Sequence, residues 1–276
     1  FGLFGFPRME VAGAAVATVT GQIVAAVAAI ILNQKKNHEV KINMKGFRPS
    51  VEVIAQIYEI GIPSIVMQAI SSVMTFGLNK ILISFSETAV AVFGVYFKLQ
   101  SFIFMPIFGI SSGLIPILSY NYGSGALRRV SASVRFGQQF TAVLSLSGAL
   151  LLSLLASPLL RSAFRASLEA MGAPALRIIA LSFFFAGTSI IFCSAFQSLG
   201  RSRWSLLVAL LRQILLLLPI AALFLWLVPD GVWLSFLIAE TITCVATLLL
   251  YRRTVRPLIA ALAVPGPSSD SAPSSH

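Results

Sequence analysis

Acidic side chains are scarce in this sequence: nine Asp and Glu against twenty Lys and Arg in 276 residues, with charged residues of both signs only 11% of the chain. Ordinary soluble domains carry about 25%. Cysteine is almost missing too. The two present, Cys193 and Cys244, lie inside long apolar runs, which excludes a disulfide framework and leaves packing as their expected role. The two histidines, His38 and His276, sit in polar segments with no metal-ligand spacing, and the phosphate-binding pattern GxxxxGK[ST] does not occur. No cofactor, metal or enzymatic reaction is expected. There is no basic segment before the first apolar run, so no signal peptide is read, and an opening on Phe1 is expected of a truncated chain.

Apolar residues, in contrast, make up 57% of the sequence, and the mean hydropathy is +0.91. Crossing a bilayer core of about 30 Å takes about 20 largely apolar residues in a helix. Seven runs qualify: 11–32, 53–83, 88–119, 136–156, 178–199, 204–228 and 232–251. They are far too long for barrel strands, and backbone groups in lipid must be satisfied within the segment. The expected fold is an all-α integral membrane protein of about seven transmembrane helices, with the lipid bilayer as its first partner.

The formal charge of +11 reports orientation rather than a nucleic-acid partner. With seven alternating spans, one side collects Lys35, Lys36, Lys41, Lys45, Arg48, Arg128, Arg129, Arg135, Arg201, Arg203, Arg252, Arg253 and Arg256. The other has only Arg8, Arg161, Arg165 and Arg177. The cytoplasmic excess of Lys and Arg therefore predicts a cytoplasmic C-terminus.

The first span is rich in Ala, Gly and Thr, which permit close helix approach in lipid. Four segments follow from composition: a helix over 1–32, a cytoplasmic linker over 33–52, a bundle over 53–256, and a Pro/Ser-rich disordered tail over 257–276. Gly61 and Pro63 are expected to interrupt the second span, and Pro106, Gly109, Gly113 and Pro116 the third. The stretch "SYNYGSGALRR" reads as a helix exit, with Tyr120 and Tyr122 at the interface and Gly123 and Gly125 supplying positive φ. An internal echo, at an offset of 218 residues for Gly13 to Gly231 and Gln22 to Glu240, suggests a repeat whose second copy is spans two to seven.

The stretch from "YEIGIPSIVMQAISS" through "GISSGLIPILSYNYGSG", with the later "AFQSLGRSRWSLLVALLRQILLLLPI", resembles bacterial members of the multidrug and toxic compound extrusion (MATE) family. The resemblance implies a twelve-helix transporter of two six-helix bundles. This chain would supply the last helix of the first bundle and the whole C-terminal bundle, leaving an N-terminal bundle to the same or another chain. It further implies export of organic cations or drugs, amphipathic and cationic in class, by antiport with protons or sodium in the bacterial inner membrane. Some members carry carboxylates in the helices matching the second and fifth spans; Ser71 and Thr188 stand there instead, an alignment that argues against such a cation site in this chain.

A charge at mid-membrane costs at least about 2.5 kcal/mol and needs a reason. Glu240 and Lys98 lie at similar depth in the last and third spans and are expected to face each other, as a protonatable or a structural pair. Arg212 and Glu59 lie nearer the cytoplasmic ends of their spans, where snorkelling suffices. Gln68, Asn79, Gln100, Gln197 and Gln213 are candidates to line a wet cavity, with Phe97, Phe185 and Phe192 as aromatic wall. The expected mechanism is alternating access through the broken second and third spans. Alternatives are a flippase for lipids or lipid-linked sugars, a non-transporting fragment, and a seven-helix receptor. Against the last, no lysine follows Lys98 to carry a retinal Schiff base.

Overall fold

A computed structural model describes residues 10–36, 48–163, 166–255 and 257. The basic residues Arg8, Lys41, Lys45, Arg165 and Arg256, both histidines, most of the linker and nearly all of the tail lie outside the described residues. Two compact units divide at Ile57, Phe1–Ile57 and Tyr58–His276. In the first, α1 (Glu10–Lys36) is a single helix ending on Lys35 and Lys36, where cations complement the helix dipole.

The second unit is helical throughout its described residues. It contains α2 (Val51–Ile83, which begins in the first unit), α3 (Glu87–Gly123), α4 (Leu127–Ala163), α5 (Ala166–Ala180) and α6 (Phe183–Ser198). There follow α7 (Ser202–Leu210), a π-helical segment (Leu211–Leu217), α8 (Leu218–Leu227), a 3₁₀ turn (Pro229–Trp233) and α9 (Leu234–Thr254). Among the described residues six helices are long and apolar enough to cross a membrane, α7 to α8 counting as one, and seven if the bent pair α5 and α6 is one span.

The breaks do not fall where the prolines predicted them. α2 runs unbroken through Pro63, and α3 runs 37 residues through Pro106 and Pro116. Instead the chain bends by 42° between α5 and α6, and the π segment lies immediately before Pro219. Pro219 has no N–H for the Leu215 carbonyl, and its ring crowds that carbonyl, so a wider turn before it relieves the clash. In α3 the neighbouring helices tolerate the same defect.

Two turns have a shared design. After α3 the Ala126 N–H reaches the Asn121 carbonyl (2.9 Å) and the Gly125 N–H the Tyr122 carbonyl (3.1 Å). After α6, Arg201 reaches Phe196 (2.8 Å) and Gly200 reaches Gln197 (3.2 Å). These paired bonds close a helix only if the residue past the cap is left-handed, and Gly125 and Gly200 have φ of 72° and 70°. Gly123, expected to share that role, is the last residue of α3.

α6 is the centre of the bundle, packing against α3, α4, α7 and α9. Most of its residues are buried, many of them small: Ala186, Gly187, Ser189, Ser194, Ala195 and Ser198. In lipid, where burial of apolar surface drives little, such residues let backbones approach and gain dispersion. α2 is different. Its C-terminal part packs through Leu78 and Leu82, both fully buried, whereas Tyr58, Ile62 and Ile65 are exposed. Beside its middle part lies a space that α2 shares with α3, α6 and α7.

Candidate functional site

The space beside α2 is a cavity of about 380 Å³. Gln68 and Ser71 line it from α2, Ser111 and Ser112 from α3, Ser189, Cys193, Ser194 and Gln197 from α6, Ser205 from α7, and Arg212 and Gln213 from the π segment. Helical spacing explains the set: Ser189, Cys193 and Gln197 recur every four residues, and Ser205, Ala209 and Arg212 at four and three, so each trio occupies one face. Pro116 leaves the Ser112 carbonyl without its helical N–H, which adds acceptor capacity on this wall.

Hydrogen bonds tie the walls together. Ser205 Oγ donates to the Cys193 carbonyl (2.8 Å), joining α7 to α6, and Ser119 Oγ donates to the Ser198 carbonyl (3.0 Å), joining α3 to α6. Ser111 and Ser194 are bonded through their hydroxyls, and Gln197 Nε2 reaches the Met67 Sδ at 4.0 Å across to α2. Each such bond in a membrane bundle contributes about 0.6 kcal/mol. Together they fix the relative register of α3, α6 and α7, while α2 is held near the cavity by the weak sulfur contact.

A second, water-sized cavity of about 30 Å³ lies beside the first. Tyr96, Phe97 and Gln100 of α3 line it, with Phe236 and Glu240 of α9. Tyr96 and Phe236 meet edge to face at 5.3 Å, walling it on one side. Arg212 and Gln213 line both cavities. Arg212 Nε lies 3.2 Å from Glu240 Oε1, so a mid-span cation and anion neutralise each other across the π segment and α9.

The sequence-derived candidates separate accordingly. Gln68, Ser71 and Gln197 line the larger cavity; Gln100 and Glu240 line the smaller; Gln213 lines both. Asn79 is half-buried on α2 and belongs to neither. Thr188 also stands outside both, its carbonyl accepting from Gln138 Nε2 at 3.1 Å. Lys98 is exposed on α3, so the expected Lys98–Glu240 pairing is corrected: the partner of Glu240 is Arg212, which the π segment carries inward rather than leaving to snorkel. Of the aromatic candidates Phe97 lines a cavity, whereas Phe192 is buried against Tyr251 (ring centroids 4.6 Å apart) and Phe185 is half-buried beside the exposed Phe184 (5.6 Å). Apart from Ser71, the sequence candidates omit the serines of this wall and Cys193, although the spacing of Ser189, Cys193 and Gln197 by four residues is visible in the sequence.

A bundle of long apolar helices with a partly polar cavity among them defines a multi-pass helical membrane protein. The model of the MatE family matches residues 63–223, more than half of the chain. The chain belongs to that family, whose named relatives are exporters rather than enzymes. Similar curated proteins include the multidrug export protein MepA of Staphylococcus aureus, 27% identical over 256 residues, and that of Staphylococcus saprophyticus, 25% identical over 256. Each match covers 90% of this chain and 55% of the relative, so the chain spans about half the length of the curated relatives it matches. Among solved structures, an outward-facing multidrug resistance MATE transporter of the MOP superfamily superposes with a TM-score of 0.80 at 23% identity, over 91% of this chain and 56% of that one. A MOP superfamily transporter from Pyrococcus furiosus, described as having a binding pocket of reverse polarity, gives 0.81 at 23%, over 95% and 58%. These superpositions establish the shared fold.

Proposed function

We propose that this chain is the C-terminal half of a secondary active transporter that exports organic cations or drugs by alternating access and antiport with protons or sodium. The observation that carries the reading is the polar cavity of about 380 Å³ in the second unit, a volume in the range of drug-sized ligands. The extent of the match supports the division into halves: the chain covers 90% of its length against relatives nearly twice as long. In this reading 1–32 is the last helix of the first bundle, 33–52 a cytoplasmic linker, 53–256 the second bundle and 257–276 a cytoplasmic tail. The first bundle, in the same or another polypeptide, completes the cavity on the side of α2. The distribution of Lys and Arg supports a cytoplasmic C-terminus in the bacterial inner membrane.

Movement between states requires a solute or ion that binds the two states unequally. The two irregular backbones, the α5–α6 bend and the π segment, are the elements proposed to adjust.

The test begins with the intact mass of the native polypeptide, expected well above 29.6 kDa. The protein so isolated is reconstituted in vesicles and assayed with ethidium under an imposed pH or sodium gradient. Gradient-dependent dye movement, reduced by Gln68→Ala, is expected. Movement that ignores both gradients would overturn the reading.

A further inference from the structure

Arg212 is the only charged side chain among the described residues lining the larger cavity, and no carboxylate lines it. Its Nε is enclosed and faces Glu240, yet 20% of the side chain remains exposed. A guanidinium presents five donors in a planar fork, so an ion pair through one edge leaves donors for a second oxyanion. Around it the cavity offers the Gln197 amide, which can donate to a ligand, and the Ser205 hydroxyl, whose proton is held by the Cys193 carbonyl and whose oxygen can accept.

On the other side of the wall, Glu240 Oε2 and Gln213 Oε1 are enclosed acceptors without a hydrogen-bond donor, and both residues line the small cavity. An ionised carboxylate only accepts; a protonated one also donates. A proton on Glu240 gives this pocket of acceptors a donor and removes the charge that holds Arg212. The other titratable groups facing Glu240 are Tyr96 of α3, Cys193 of α6 and Cys244 of α9 itself.

We propose that Arg212 is a binding residue for the carboxylate of an amphipathic ligand in the larger cavity, and that Glu240 competes for Arg212 and yields it on taking up a proton. The ligand class is a drug-sized amphiphile with a carboxylate, zwitterions included. The exporter reading supplies the setting for this site, but binding is measured without transport, so the two fail separately.

The probes are dansylglycine and dansylglycinamide, which differ by a carboxylate against an amide, titrated by fluorescence into the purified native polypeptide between about pH 8 and about pH 5.5. A carboxylate of ordinary pKa stays ionised across this window. A rise in dansylglycine affinity of about tenfold toward the acid end, the scale of one charge-assisted bond, with dansylglycinamide affinity flat, is the expected signature of Glu240 taking up a proton and yielding Arg212. Glu240→Gln, which mimics the protonated acid, binds dansylglycine tightly at both pH values. Because Arg212→Gln alone strands a buried carboxylate, the paired variant Arg212→Gln with Glu240→Gln is used. It loses the preference for dansylglycine but still binds dansylglycinamide, which reports a folded cavity. A preference that survives in the paired variant, a wild-type pH response in Glu240→Gln, or no dansylglycine binding by the wild type overturns the proposal. The expected binding pattern without gradient-driven transport overturns the exporter reading alone.

Discussion

Gly187 of α6 lies so close to Ser145 of α4 that a Cβ at position 187 would stand 2.5 Å from the Ser145 hydroxyl and 2.7 Å from Thr141 Cγ2. The central helix of the bundle is therefore seated on α4 by the absence of a single methyl group. Gly187→Ala is expected to lower stability by about 1–3 kcal/mol, the usual cost of overpacking. Gly94→Ala on α3, where no heavy atom lies within 4 Å, is the control and gains roughly 0.5–1 kcal/mol of helix propensity. Thermal unfolding in detergent checks both, and equal midpoints would refute the close seating.

The two partners of the mid-span ion pair are not equivalent. Arg212 reaches the larger cavity, whereas Glu240 reaches only the water-sized one. Stranding Glu240 by Arg212→Gln is expected to cost about 3–5 kcal/mol, the range for a buried charge deprived of its partner. Glu240→Gln costs less, and the paired variant less than Arg212→Gln. Denaturation midpoints that rank the variants differently would show that both charges have equal access to water.

Cys193 lines the larger cavity and Cys244 lines neither, although both are half-buried. With Cys244→Ala, a small methanethiosulfonate reagent is expected to modify Cys193 slowly but measurably and a polyethylene-glycol maleimide hardly at all. With Cys193→Ala, Cys244 should not discriminate in the same way. Mass spectrometry of the labelled protein reads the difference, and identical size dependence for both thiols would remove Cys193 from the cavity wall.

Orientation is tested at two exposed serines in opposite turns, Ser84 after α2 and Ser124 after α3. In a background without Cys193 and Cys244, an impermeant maleimide applied to intact cells should label Ser84→Cys and spare Ser124→Cys. The reverse pattern would place the C-terminus outside.

The helices were legible because apolar runs of this length admit few other structures, but their ends were not. The span expected over 136–156 lies inside a 37-residue α4, since Arg128, Arg129 and Arg135 continue the helix where composition alone suggests a loop. Proline misled in the other direction: Pro63, Pro106 and Pro116 are carried within helices, and the distortion lies before Pro219, in the segment that carries Arg212 and Gln213. Depth along the membrane put Glu240 level with Lys98, but rotation about the helix axis decides which side chains meet, and the π segment turns Arg212 to Glu240 instead. Amides and charges stand out in an apolar sequence, which is why Gln68 and Gln197, now seen on the cavity wall, are among the sequence candidates. Serines do not stand out, because their role at close helix contacts conceals a role at a cavity wall.

The hairpin of α3 and α4 has a practical consequence for imaging. Each helix of 37 residues is about 55 Å long, against a hydrocarbon core of about 30 Å, so the pair projects into water at one end or both. Its turn is clamped by main-chain bonds on either side of Gly125 rather than left as loose chain. A globular fusion partner spliced into this turn through continuous helices would stand rigidly off the micelle, giving a small, featureless membrane protein the fiducial mass that particle alignment needs.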